Sequence, residues 1–245
     1  MLKRLAVFFC ILASTPVFAR NENIDSFNQA KKYLRGIYAD HRETIYCGAK
    51  FNIDGSVELP KDFVTNKHVK RSKRIEWEHI VPAENFGRTF SEWTNGHPDC
   101  VDSKGNLFKG RNCAEKVNRE YRLMQADMHN LFPAIGSVNA MRSNFNFTEL
   151  SPSIPNSFGS CAMKIHERKV EPPHHVKGII ARTYFYMEDA YPRYKIANKM
   201  RKMLQMWDKK YPVDSWECER AKRIEKIQNN PNRFVVEACK KLELY

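Results

Sequence analysis

The sequence predicts an α+β fold, mostly helical, in a single domain with a small antiparallel sheet. Three observations carry this. Ile75, Trp77, His79 and Val81 alternate with Glu76, Glu78 and Ile80, the period of a strand. Apolar residues recur three and four apart over residues 25–41 and again from 114 to about 125. Beyond residue 176, four segments of helical tendency are punctuated by Pro192, Pro212 and Pro231.

Taken from the start, Lys3 and Arg4 precede an apolar run from Leu5 to Ala13, followed by Thr15, Pro16 and the small-residue end Val17-Phe18-Ala19. This is the pattern of a secretory signal, so residues 1–19 are expected to be removed and 20–245 to form the mature domain. The run is too short to span a bilayer, which takes about 20 apolar residues, and no second such run follows. The mature chain is therefore expected to be soluble and periplasmic or secreted, without a membrane partner. Phe27, Ala30, Leu34, Ile37 and Tyr38 predict an amphipathic helix with Asp25 and Ser26 as its capping candidates. Residues 47–70, with an Asp54-Gly55 turn and a Leu59-Pro60 break, predict loops or short edge strands. The strand at 74–81 ends at Pro82. Residues 91–112 read as a long polar loop, and Val117, Tyr121 and Met124 place a helix from Ala114 to about Gln125. A short apolar strand follows at 129–133, then a helix from about Ile135 through Asn144. Residues 151–175, with Pro152, Pro155, Pro172 and Pro173, read as loop, and helices are expected around 176–190, 195–209, 215–228 and 231–242.

The charge balance narrows the partners. Lys and Arg number 41 against 28 Asp and Glu, a net charge of +13. Losing Lys3 and Arg4 with the signal leaves 39 against 28. Such an excess favours polyanions, nucleic acid first, then anionic glycans or membrane surfaces. On charge alone the chain could be a binder without catalysis. Of seven cysteines, Cys10 lies in the signal, and an even mature set in an exported chain reads as disulfides. Cys218 and Cys239 flank two helical patterns and Cys100 and Cys113 bracket the polar loop, which would leave Cys47 with Cys161; this is one of fifteen connectivities that six cysteines allow. The absence of C-x-x-C argues against a zinc knuckle or a thioredoxin-type site, and the absence of H-E-x-x-H against a zinc protease. No helix-turn-helix, zinc-finger or RNP motif is present, so sequence-independent binding is expected.

Chemistry concentrates in two segments. Glu78-His79 offers a carboxylate for a hard cation beside an imidazole able to act as a base near neutrality. Asp127 to Pro133, followed by Val138-Asn139 and Arg142-Ser143-Asn144, supplies a second strand with Asn and then a helix with Asn. Strand with histidine, strand with asparagine and helix with asparagine is the order of a ββα-metal motif.

RIEWEHIVPAENFG at 74–87, ADMHNLFPAIGSVNAMRSN at 126–144, CAMK at 161–164, ARTYFYM at 181–187 and WECER at 216–220 together resemble the bacterial endonuclease I family, periplasmic and secreted nucleases of the His-Me finger type. The resemblance runs across most of the mature chain. It implies a monomeric, non-specific endonuclease on DNA, with RNA as a second substrate. It further implies that His79 is the general base and that Glu78 and Asn139 hold one Mg²⁺, for which Mn²⁺ or Ca²⁺ can substitute. Asn130 would orient the histidine, and Arg111 would grip the phosphate at the cut. One carboxylate and one amide leave the ion positively charged with open positions, whereas three carboxylates would neutralise it. Neighbouring residues on a regular strand face opposite ways, so Glu76 is the rival ligand to Glu78 unless the strand distorts.

Other residues have ordinary explanations. His174-His175 reads as loop surface, His129 as a satisfied structural histidine, and Tyr184-Phe185-Tyr186 as core. Lys195, Lys199, Arg201 and Lys202 read as a solvated face. The chain also departs from the family pattern, with Ala49 and Asn66 at two positions where relatives are expected to carry cysteine, as if one disulfide were lost whole.

Overall fold

Ser26 opens helix α1 (Phe27–Ile37), its side chain accepting from the Gln29 amide, and the helix buries Ala30, Leu34 and Ile37. Asp25, the other capping candidate, meets Arg122 at 3.2 Å instead. These interactions belong to a computed structural model that describes residues 20–244; the proposed signal, residues 1–19, lies outside the described residues. Strands β1 (Lys50–Phe51) and β2 (Val57–Glu58) pair antiparallel across the Asp54-Gly55 turn. Asp54 accepts from the Ser56 amide there, and Gly55 takes φ 86°, which a residue without a Cβ adopts at little cost.

The predicted strand forms as β3 (Ile75–His79) and pairs antiparallel with β4 (Leu131–Ile135), Ile75 opposite Ile135 and His79 opposite Leu131. Helix α6 (Gly136–Arg142) follows β4 directly. Between the strands run α2 (Ala83–Gly87), α3 (Ser91–Thr94), α4 (Arg111–Val117) and α5 (Arg119–Gln125). Three expectations need correction here. The helix expected at 114–125 is two helices, because Asn118 leaves helical geometry and caps α5, accepting from the Tyr121 amide. Arg111, expected in the loop, is the first residue of α4, which starts behind Gly110 at φ 80°. Asn130 lies in a single 3₁₀ turn, Met128–Asn130, one residue ahead of the second strand.

The stretch at 151–175 also differs. It contributes β6 (Lys164–His166) and β7 (Lys169–Glu171), which with β5 (Asn146–Phe147) form a mixed sheet in the order β5-β7-β6, β5 and β7 parallel. Strands of two or three residues are too short to register a period of two. The C-terminal helices arise where expected: α7 (Lys177–Ala190), α8 (Asn198–Lys210), α9 (Ser215–Gln228) and α10 (Arg233–Lys241).

The β3–β4 ladder sits between two apolar cores. Trp77 and Leu131 pack with Leu34, Met128 and Ile224 under α1, while Phe132 and Ala134 join the larger core of Phe86, Tyr121, Val138 and Tyr184. All five residues of β4 are buried, so β3 is fixed from behind. Cys47–Cys161, Cys100–Cys113 and Cys218–Cys239 are bonded, the pairing left open by spacing alone. Tyr184 and Tyr186 are core residues as expected. His129 is buried, its Nε2 3.0 Å from the Asn230 carbonyl. Among the described residues, no helix is long and apolar enough to cross a membrane.

Candidate active site

A groove of about 760 Å³ takes in all five residues of β3 together with Arg111 and Asn139, and its α1 rim carries Phe27, Lys31 and Arg35. Among the described strands β3 pairs with β4; on its other edge the Ile75 amide donates to the Gly55 carbonyl at 2.9 Å and the His79 carbonyl accepts from Arg142 Nη1 at 2.8 Å. The ladder stays regular through His79, and residues of both strand faces line the groove, Glu78 and His79 among them. Asn130 is not on the wall; it lies behind.

His79 is 7% exposed, its ring 5.1 Å from that of Phe27 and 6.3 Å from that of Phe86. Its Nε2 lies 2.9 Å from the backbone oxygen of Gln125. That oxygen can only accept, so Nε2 carries the hydrogen and Nδ1 keeps its lone pair. Gln125 ends α5, where backbone carbonyls have no partner within the helix, and the imidazole satisfies one. Burial pushes the His79 pKa down to about 3; the positive charges of Arg111 and Arg142 add to this, and the Gln125 bond opposes it. The ring is neutral at pH 7. The Gln125 side chain does a second job, accepting from Arg111 Nε at 2.9 Å and from the Tyr121 hydroxyl at 2.9 Å. One residue therefore fixes both the imidazole and the arginine.

Asn130 spends its side chain on the backbone two residues beyond the histidine. Its Oδ1 accepts from the Val81 amide at 2.8 Å and its Nδ2 donates to the Val81 carbonyl at 3.0 Å. It locks the chain leaving β3, and the imidazole is oriented by the Gln125 carbonyl. Arg142 holds the same stretch from the other side, donating to the His79 and Ile80 carbonyls at 2.8 and 2.6 Å.

The two carboxylates of β3 have different partners. Glu76 accepts from Arg71 Nε at 2.8 Å and from Arg71 Nη2 at 2.5 Å, and from Asn139 Nδ2 at 2.9 Å. A carboxylate facing Arg71 can only accept, so the Asn139 amide must present its nitrogen to Glu76 and turn its Oδ1 away. Glu78 is buried against Arg142, 3.1 Å away, and accepts from the Tyr46 hydroxyl at 2.9 Å. Burial pushes its carboxyl pKa up, while Arg142 and the Tyr46 hydroxyl pull the other way. Glu76 is thus engaged with a guanidinium and an amide, and Glu78 sits on the groove with one oxygen so engaged.

This donor set suits Mg²⁺. Among the described residues no group of three or more His, Cys, Asp or Glu is arranged to hold a metal. A carboxylate and an amide oxygen supply two hard donors, leaving most positions of an octahedral ion to water and phosphate, as Mg²⁺ prefers. A cation wanting soft or nitrogen ligands would find none in the pair. Gln125, Arg142, Tyr46, Arg71 and the oriented role of Glu76 were not legible from sequence. Gln125 acts partly through its backbone, which residue type does not encode, and the others become partners only through the fold.

Residues 27–239 match the family described as Endonuclease I. The chain is 40% identical over 243 residues to an extracellular deoxyribonuclease of Aeromonas hydrophila, covering 96% of this chain and 97% of that one. It is 38% identical over 243 residues to a periplasmic deoxyribonuclease of the same organism, 96% and 94% covered. An extracellular ribonuclease of Bacillus subtilis is 32% identical over 235 residues, 81% and 76% covered. The chain belongs to the endonuclease I family and is a nuclease, a phosphodiester hydrolase.

Proposed function

We propose that residues 20–245 form one exported nuclease domain that cuts DNA, and RNA as a second substrate, without regard to sequence, leaving 5′-phosphate and 3′-hydroxyl ends. The observation that carries this is the meeting of Glu78, His79, Arg111 and Asn139 on one groove. Relatives named as extracellular and periplasmic deoxyribonucleases supply the substrate and the compartment, and a relative named as a ribonuclease supports the second substrate. The three disulfides suit an oxidising compartment.

Hydrolysis needs a water aligned with the leaving 3′ oxygen and a base to take its proton. His79 Nδ1 is that base: its ring is neutral, its other nitrogen is tied to the Gln125 carbonyl, and the tautomer is the one that exposes a lone pair. Arg111, tethered through Nε to Gln125, neutralises the phosphate beside it. Glu78 and Asn139 Oδ1 would hold the cation, which would supply positive charge to the phosphate as it is cut. Glu76, with Arg71 behind it, keeps the Asn139 amide turned so that its oxygen is available. Two strands and the following helix, β3, β4 and α6, thereby act as a ββα-metal motif. Lys31 and Arg35 add positive charge on the α1 rim, where a phosphate backbone would lie.

The test is plasmid digestion with and without EDTA, comparing the native chain with His79→Ala. Cleavage should stop with EDTA and fall by at least about 100-fold in the variant, the contribution of a positioned base. Undiminished cutting by the variant rejects His79 as the base. Salt-sensitive binding with no cleavage in any divalent metal would make the chain a binder only.

A further inference from the structure

Glu78 is held more closely than a lone ligand requires. Its Oε1 accepts from the Tyr46 hydroxyl at 2.9 Å and lies 3.1 Å from Arg142 Nη1. Tyr46, Glu78 and Arg142 are 1%, 3% and 1% exposed, so water cannot readily replace either partner. Arg142 is itself pinned, by the His79 and Ile80 carbonyls and by the Phe147 ring 4.5 Å beneath its guanidinium. Glu78 nevertheless lines the groove, and Oε2 has no hydrogen-bond partner among the described residues.

We infer that Tyr46 and Arg142 are positioning residues that reserve Oε1, so that Glu78 meets a cation through one oxygen and the site favours Mg²⁺ over Ca²⁺. This rests on the reading of Glu78 as a metal ligand. The physical ground is a difference between the ions. Mg²⁺ demands octahedral geometry and takes one oxygen from a carboxylate, while Ca²⁺ accepts six to eight oxygens and readily uses both. A carboxylate whose second oxygen is fixed by a buried hydroxyl and a buried guanidinium cannot turn to embrace the larger ion. The Tyr46 hydroxyl is the part of this clamp that can be removed with least disturbance, because the ring and Arg142 stay.

The experiment measures Mg²⁺ and Ca²⁺ dissociation constants of the metal-free protein by titration calorimetry, without nucleic acid, for the wild type, Tyr46→Phe and Glu78→Gln. Tyr46→Phe should shift the ratio of the two constants toward Ca²⁺ by about fivefold, within the reach of one lost hydrogen bond to a charged group. An unchanged ratio, including equal weakening of both ions as a purely structural tyrosine would give, overturns the inference. If Glu78→Gln binds both ions as tightly as the wild type, the reading beneath it fails instead. A crystal of the wild type with Ca²⁺ checks the same point without a substitution. One Glu78 oxygen on the ion, with the other still on Tyr46, supports the clamp, and two oxygens on the ion at about 2.3–2.6 Å overturn it.

Discussion

Lowering the pH from 7 to 5 should cost this fold about 2 kcal/mol through His79 alone. In the unfolded chain the imidazole titrates near its ordinary value of about 6.5, but in the fold burial holds it near 3. Between those values the unfolded state binds a proton that the folded state does not. Stability therefore falls as the pH drops through 6.5 and stops falling, for this group, near 3. Each pH unit well inside that window is worth about 1.4 kcal/mol, and integrating from 7 to 5 gives the figure above. The assay is equilibrium urea unfolding in EDTA with the disulfides intact, at both pH values, on the wild type and on His79→Gln, whose amide can still donate toward the Gln125 carbonyl. Burial also lowers His129 and His41, but both proteins carry those, so the difference between the two pH losses isolates His79. A wild-type loss larger by about 2 kcal/mol is expected; a difference below about 0.5 kcal/mol, near the error of extrapolation, would refute the buried neutral imidazole.

Other expectations follow from named residues. A Cβ at Gly136 would lie 2.5 Å from the Arg71 carbonyl and 2.9 Å from Glu76 Oε1, so Gly136→Ala should lower the melting temperature by several degrees, the effect of about 1–3 kcal/mol of overpacking; an unchanged melt would contradict the close approach of α6 to β3. Lys31→Ala combined with Arg35→Ala should reduce the slope of log affinity against log salt for DNA by about one for each phosphate that the two cations neutralise, and an unchanged slope would remove α1 from the substrate path. Replacing Cys218 and Cys239 by serine should cost about 2–4 kcal/mol in urea unfolding while leaving cleavage at 25 °C intact, since the bridge ties α9 to α10 and neither lines the groove. Loss of cleavage in a folded variant would show that the bridge supports the site.

Much of this was legible along the chain because period and punctuation survive burial. The alternation at Ile75, Trp77 and His79 forms a strand, and the prolines at 192, 212 and 231 separate helices where expected. What escaped was either short or relational. The strands of the β5-β7-β6 sheet have too few residues to show a period. Glu78 and His79 are neighbours on a regular strand, so their side chains leave it on opposite faces, and both residues nevertheless line one groove. Glu76, the rival ligand by strand geometry, is bound to Arg71 and Asn139 through hydrogen bonds that no spacing rule announces. Asn130 is adjacent in sequence to the histidine's neighbours in space, yet it works on the Val81 backbone, while the imidazole is held by a carbonyl that any residue type could have offered.

The central claim is that one cation is shared by β3 and α6 beside a neutral imidazole. A crystal structure with Mn²⁺ bound, located by its anomalous signal, addresses this directly. The account predicts a single ion bonded to Glu78 Oε2 and Asn139 Oδ1, at close to the 2.0–2.1 Å expected of Mg²⁺ and slightly more for the larger ion, with His79 Nδ1 facing the water beside it. An ion bound at Glu76, or one that leaves Asn139 hydrogen-bonded and uncoordinated, would contradict it.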